Sequence, residues 1–301
     1  MPDARYGREM ELSQVAPTVR PKWLAVGAVA VLLGLVLRSG WVAEDAYITL
    51  RTVDNFVHGQ GLRWNVDERV QAYTHPLWML MLSAGYFVTR EAFATTILLS
   101  VFTTAAAALT LVGLARTAGH AVAAIVLLTV SRGFVEFSTG GLENPLSHLL
   151  IAVFVGLYAV RGAPLRQLAL VAALTLCNRT DAILVIAPAL LHAGWLEYRA
   201  VGLKETARSL AIGLSPWFAW ELFSLFYYGF PFPNTAYAKL NTGLPRLEVL
   251  RQGCVYWVNA LAFDVSLHIV ALAAVAVAVM QRRPRDLALA LGLLLYTLYV
   301  I

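Results

Sequence analysis

Residues 23–57 read WLAVGAVAVLLGLVLRSGWVAEDAYITLRTVDNFV, an apolar run that ends at Arg38 and passes within six residues to the carboxylate pair Glu44-Asp45. Each carboxylate would cost roughly 2.5–3.5 kcal/mol at the centre of a bilayer. The pair therefore belongs at an interface or in a wet cavity, and the run before it belongs in the membrane. As acids in a first turn they also suit the start of a helix. From Tyr47 the apolar residues recur as Leu50, Val53 and Phe56/Val57, with Arg51, Asp54, Asn55 and His58 between them, and Gly59 and Gly61 follow. That spacing predicts an amphipathic helix lying in the interface, stopped by the glycines.

The rest of the chain agrees with a membrane setting. Of 301 residues, 59% are hydrophobic and 14% charged, against about 45–50% and 25% in soluble domains. The apolar stretches are long and lack strict alternation, which selects helices over a barrel. The net charge of +5 forms no basic stripe among exposed aromatics, so nucleic-acid binding is excluded. Cys177 and Cys254 are isolated, with neither disulfide nor zinc spacing. No small-residue cleavage site follows the first run, so it reads as an uncleaved first helix behind a polar, cytoplasmic tail of residues 1–22.

Apolar runs fall near 23–37, 76–89, 93–115, 120–131, 145–160, 167–177, 182–196, 209–228, 255–280 and 286–301. Several are shorter than the ~20 residues of a perpendicular span. Four basic groups lie between them: Arg5 to Lys22; Arg161 and Arg166; Arg199, Lys204 and Arg208; and Arg282, Arg283 and Arg285. With these on the cytoplasmic side, the segments around Glu44, Glu143, Asn178–Asp181 and Tyr227–Arg251 share the other face. One run between Glu44 and Glu143 then cannot cross. Arg116 favours 76–89 as a juxtamembrane element; the alternative is 120–131. The final run, LALALGLLLYTLYVI, has no polar flank, which predicts a longer parent chain.

Four polar segments on one face carry the chemistry. The first ends in YTHPLW and offers His75; its Arg63, Asp67, Glu68 and Arg69 read as a solvated loop. The second, STGGLENPLSHLL (138–150), opens a helix at Glu143. The third, CNRTDAIL (177–184), pairs Arg179 with Asp181 or a neighbouring charge. The fourth, FYYGFPFPNTAYAKLN (226–241), presents Tyr228, Asn234 and Lys239. Acids, cations and aromatic platforms together suit a sugar leaving a lipid-linked phosphate: a carboxylate acts as base, and cations meet the charge on the leaving group.

These motifs, in this order, resemble the GT-C superfamily of polyprenyl-phosphate-sugar-dependent glycosyltransferases, and within it the terminal arabinofuranosyltransferases of mycobacterial and corynebacterial cell walls. The resemblance covers about residues 20–260. It implies an all-α, polytopic transmembrane bundle over residues 23–301, whose extracytoplasmic first loop carries an amphipathic juxtamembrane helix. It further implies transfer of a sugar, arabinofuranose in the arabinofuranosyltransferases it resembles, from a polyprenyl phosphate to a cell-envelope glycan outside the bacterial plasma membrane. The acid pair would be catalytic. The family commonly has Asp-Asp where this chain has Glu44-Asp45, so Asp45 is expected to lead and Glu44 to support it. His75, Arg179 and Lys239 are expected at the phosphate; Glu143 and Asp181 at the sugar or behind it. No cofactor is dictated; an adjacent acid pair can ligate a divalent cation but supplies too few ligands alone. The rival readings are a transporter or flippase for a lipid-linked sugar, which predicts mid-membrane acids and related halves, and a noncatalytic scaffold.

Overall fold

The computed structural model describes residues 23–240 and 245–300; the N-terminal tail lies outside the described residues. All regular structure among them is helical. α1 (Trp23–Arg38) buries Ala25, Val29, Leu32 and Val36, a single stripe at helical spacing. That stripe packs on Ala108 and Val112 of α4 (Ala92–Leu114) and on Ala121 and Ile125 of α5 (Ala118–Val130). α4 turns Thr95, Thr96, Ser100, Thr103, Thr104, Ala107 and Ala108 inwards. Small side chains of this kind let helices approach closely where lipid removes the hydrophobic drive between them.

α7 (Asn144–Val155), extended by a π-helical turn at Gly156–Arg161, runs alongside α4. α8 (Leu165–Asn178), α9 (Ile183–Val201) and α10 (Leu203–Tyr228) complete the second half of the bundle. Its core joins Trp78, Met79, Leu82, Leu146, Leu150, Phe154, Leu168 and Ile186. Four segments are long and apolar enough to cross a membrane: Ala92–Leu114, Asn144–Arg161, Thr180–Val201 and Leu203–Tyr228. Trp23–Arg38, Ala118–Val130 and Leu165–Asn178 are shorter apolar helices. Large apolar side chains such as Leu98, Phe102, Leu222 and Phe226 are exposed along the flanks, as a lipid-facing surface requires.

Two other helices lie at one end of the bundle. α2 (Glu44–Val57) begins where Ala43 N–H bonds the Gly140 carbonyl at 2.9 Å. α3 (Pro76–Thr89) starts beside Glu143 through His75 and ends where Gly85 meets the Thr95 methyl group. Gly141 touches Thr96 at the start of α4, whereas Gly156 touches Leu114 at its end. Both ends of α3 therefore lie at the same end of the α4–α7 pair, and α3 lies across that end rather than traversing the bundle. Of the two readings of the apolar runs, this arrangement supports 76–89 as the juxtamembrane element, and α5 packs alongside α1.

The structure adds two details. α2 occupies the expected residues, but its buried face holds Ala46, Thr49, Leu50, Thr52 and Val53, while Tyr47, Ile48 and Phe56 are exposed. The helix turns Leu50 and Val53, with small and hydroxylated residues, to its protein neighbours and leaves Tyr47, Ile48 and Phe56 facing outwards. The apolar stretch 255–280 is not one helix. α12 (Arg246–Phe263), which follows the short α11 (Asn234–Leu240), meets α13 (Val265–Gln281) at 104°. Asp264 causes the break. Its Oδ1 accepts from the Leu267 amide at 3.0 Å, and its Oδ2 accepts from the Gly133 amide at 2.9 Å and from the Ser131 hydroxyl. One carboxylate thereby caps α13 and also anchors the start of α6 (Arg132–Phe137).

Finally α14 (Pro284–Val300) packs against α9, with Gly292 directly on the Val185 backbone. The side-chain hydroxyl of Tyr296 reaches the Asp181 carboxylate at the polar end of the bundle.

Candidate active site

Glu143 is the centre of the site. It precedes α7, and its side chain is turned away from capping the helix. One oxygen stands 3.0 Å from His75 Nδ1 and the other 3.1 Å from Arg179 Nη1, with the Glu143 side chain 10% exposed. Arg179 Nε also donates to Asp181 Oδ1 at 2.8 Å and its Nη2 to Oδ2 at 3.2 Å, a bidentate pair. His75 Nε2 lies 2.9 Å from the Thr49 hydroxyl. An ionised carboxylate only accepts, so Nδ1 carries the hydrogen; in neutral His75, Nε2 then accepts from Thr49. The result is a continuous chain of contacts from Thr49 through His75, Glu143 and Arg179 to Asp181 and Tyr296.

Local folding explains each placement. Pro76 starts α3 at a position where a missing N–H is harmless, which fixes His75 just before the helix. Asn178, fully buried at the end of α8, donates to the Glu143 carbonyl at 3.2 Å and to Ser147 at 2.9 Å. Those bonds hold the α8–α9 connection against the start of α7. Gly141 has φ +80, and a Cβ there would stand 2.7 Å from that of Ala46. Its carbonyl accepts from buried Trp78 Nε1 at 3.0 Å. A glycine is required at that position both by the left-handed backbone and by the approach of α2.

The electrostatics follow from these partners. Burial pushes the Glu143 carboxyl up, but the bond to His75 and the charge on Arg179 outweigh it and hold the group below its ordinary value. Burial disfavours the charge on Arg179, and Asp181, Tyr296 and Glu143 more than restore it. Both Glu143 oxygens and most Arg179 donors are thus occupied within the protein.

Glu44 and Asp45 are different. They are exposed in the first turn of α2, with no side-chain hydrogen bond or ion pair among the described residues. Asp45 precedes Thr49 by four positions, so the two side chains are neighbours on one helical face, about 5–6 Å apart at Cβ. An unengaged carboxylate therefore stands one turn from the Thr49–His75–Glu143 chain. Among the described residues, no three His, Cys, Asp or Glu side chains converge to hold a metal ion.

The fourth polar segment divides. Tyr228 is buried, donating from its hydroxyl to the Leu62 carbonyl at 2.7 Å and sharing a 2.9 Å bond with Tyr73. Asn234 is exposed, its amide on the Gln71 carbonyl at 3.3 Å. The side chain of Lys239 lies outside the described residues. Sequence reasoning missed Thr49, whose i+4 relation to Asp45 was a usable signal. It also missed Tyr296, which only tertiary packing brings to the site.

These features define a polytopic helical membrane protein with a buried carboxylate-centred relay at one end and an exposed acid pair beside it. The chain is 28% identical over 264 residues to the terminal beta-(1->2)-arabinofuranosyltransferase of Mycobacterium tuberculosis, covering 79% of this chain and 40% of that protein. It is 34% identical over 121 residues to the protein of the same name from Corynebacterium glutamicum, covering 38% and 18%. The chain is thus similar to the mycobacterial and corynebacterial terminal arabinofuranosyltransferases, and it spans less than half the length of each. No family model matches the chain, and no solved structure matches it significantly.

Proposed function

We propose that the chain is the membrane-embedded part of a glycosyltransferase that moves an arabinofuranosyl group from a polyprenyl phosphate to a cell-envelope glycan. The active end faces the extracytoplasmic side of the bacterial plasma membrane, away from the basic loops. The observation that carries the reading is the position of Asp45, unengaged and one helical turn from a relay whose own carboxylates are all paired. Asp45 accepts the proton of the acceptor hydroxyl as that oxygen attacks the sugar, and Glu44 supports the charge at the mouth. Glu143 is a positioning residue, since its two oxygens orient His75 and Arg179. The similarity to two arabinofuranosyltransferases supports the sugar; the lipid carrier rests on the motif resemblance and on the interfacial setting.

The test is sugar transfer by membranes carrying the protein. Asp45→Ala is expected to abolish transfer while leaving membrane insertion and yield unchanged. Turnover by that variant at the unaltered protein's rate overturns the assignment.

A further inference from the structure

The relay leaves a chemical gap. A phosphate leaving group needs cations free to receive its charge, yet His75 and Arg179 face Glu143 and Asp181. The strap between α2 and α3 supplies such cations. Tyr227, at the end of α10, receives Arg63 Nε on its hydroxyl at 3.3 Å, and the guanidinium of Arg69 lies over its ring, 5.0 Å from the centroid. Arg63 Nη1 donates to the Val66 carbonyl at 2.7 Å, which leaves Nη2 uncommitted. Arg69 is exposed. Neither arginine has a carboxylate within 4 Å among the described residues, although Asp67 and Glu68 lie between them in sequence.

The seat is constructed rather than incidental. Gly61 has φ +89, and a Cβ there would stand 2.6 Å from the Tyr227 hydroxyl, so the glycine makes room for that contact. Tyr228 holds the Leu62 carbonyl at one end of the strap, while Ser224 holds Gln71 at the other with a 3.0 Å bond. Tyr73, bonded to Tyr228, lies two residues before His75. Val66, Phe56 and Tyr47 are exposed apolar residues on the strap and on neighbouring α2, which places the arginines at the level of lipid headgroups.

We propose that Arg63 and Arg69, oriented by Tyr227, bind the phosphate of a prenyl-phosphate lipid, a diester while the sugar is attached and a monoester once the sugar has left with the breaking C–O bond. This rests on the glycosyltransferase reading, and it assigns the donor phosphate to the strap instead of to Arg179. Guanidinium forks match phosphate oxygens and remain charged at any working pH, whereas the aromatic face holds Arg69 in place without consuming its donors.

Calorimetric titration of the detergent-solubilised protein with farnesyl monophosphate tests the assignment. Arg63→Gln and Arg69→Gln are each expected to weaken binding on the order of tenfold, as the loss of a charge-assisted bond implies, with unchanged thermal stability for the exposed Arg69 variant. Tyr227→Phe, which keeps the ring but removes the hydroxyl, is expected to weaken binding less. Inorganic phosphate should compete and farnesol should not bind. Unchanged affinity in both arginine variants, equal binding of farnesol, or equal competition by phosphatidylglycerol vesicles overturns the proposal. The two readings separate cleanly. Normal sugar transfer by Arg63→Gln and Arg69→Gln refutes only the phosphate assignment. Loss of farnesyl phosphate binding in those variants, with no transfer by the unaltered protein, upholds it and refutes the transferase reading.

Discussion

Glu143 shows how a buried acid can be indispensable without being the reacting group. Among the described residues its carboxylate is the only link between His75 on one segment and Arg179 on another, so its removal leaves a guanidinium half-paired. Removing one member of such a pair typically destabilises by about 3–5 kcal/mol. Glu143→Ala is expected near the lower figure, because Arg179 retains Asp181; thermal unfolding in detergent measures it. The carboxyl is held below its ordinary 4.5. A depressed folded-state value means stability that is fully present above the unfolded value and lost as pH falls through the folded one. The melting temperature of the unaltered protein should therefore hold between about pH 7 and 5 and decline below about 4.5, and Glu143→Gln should show a shallower decline. Equal pH curves would contradict the relay. Much of this residue-level arrangement was legible in the sequence: Glu143 at a helix start after two glycines, His75 before a proline, and Arg179 paired with Asp181 are local patterns. Their mutual contact was not, since residues 75, 143 and 179 meet only after α3, α7 and α8 have packed. The partnership of Arg63 and Arg69 with Tyr227 was hidden for the same reason, and a polar strap without periodicity reads as solvated loop.

At the scale of elements, the site depends on how tightly the Gly140-Gly141 segment receives α2. The Ala43 amide binds the Gly140 carbonyl, Trp78 binds the next carbonyl, and Ala46 packs where a Gly141 side chain would stand. Gly141→Ala must adopt a left-handed backbone, at roughly 1–2 kcal/mol, and must also displace Ala46 or Val42, at typically 1–3 kcal/mol more. Gly140→Ala meets nothing nearer than 3.8 Å and has no positive φ. The pair forms an internal control: thermal stability should fall by about 2–5 kcal/mol for Gly141→Ala and far less for Gly140→Ala. Comparable losses would show that the α2 junction does not depend on this approach. The elements themselves were mostly legible, because 3.6-residue periodicity and long apolar runs are local signals. The helical spacing of α2 did not say which of its apolar residues face the protein: Leu50 and Val53 do, and Tyr47 and Phe56 do not. A helix between protein and bilayer has two apolar surroundings, and hydrophobicity alone does not say which one receives Tyr47, Ile48 or Phe56. The break at Asp264 was missed because its cap on Leu267 is one local bond, while the Ser131–Gly133 segment that also anchors the carboxylate is more than a hundred residues away.

For the whole molecule, the decisive feature is the separation of charge types between the two ends. Arg166, Glu205 and Arg208 line one polar recess, and Leu114 beside Gly156 brings the Arg116 turn towards the end where the π-helical turn reaches Arg161. Glu44, His75, Glu143, Asp181 and Tyr228 belong to the opposite end. The four basic groups and four polar segments could not be sorted this way if α3 crossed, because every later segment would change sides. This makes topology testable without any activity. In a background with exposed Cys254 and buried Cys177 replaced by serine, single cysteines can be introduced at Glu68, Arg90 and Arg116, all exposed positions. A membrane-impermeant maleimide applied to intact cells should label Glu68→Cys and Arg90→Cys alike, since both ends of α3 lie on one face. Arg116→Cys should react only after lysis, because the 23-residue α4 separates it from Arg90 by about 35 Å, enough to cross the ~30 Å hydrocarbon core. Labelling of Glu68→Cys together with Arg116→Cys, and apart from Arg90→Cys, would make α3 a crossing helix. It would place the acid pair and the Glu143 relay on opposite sides of the membrane, and a single active site could not contain both.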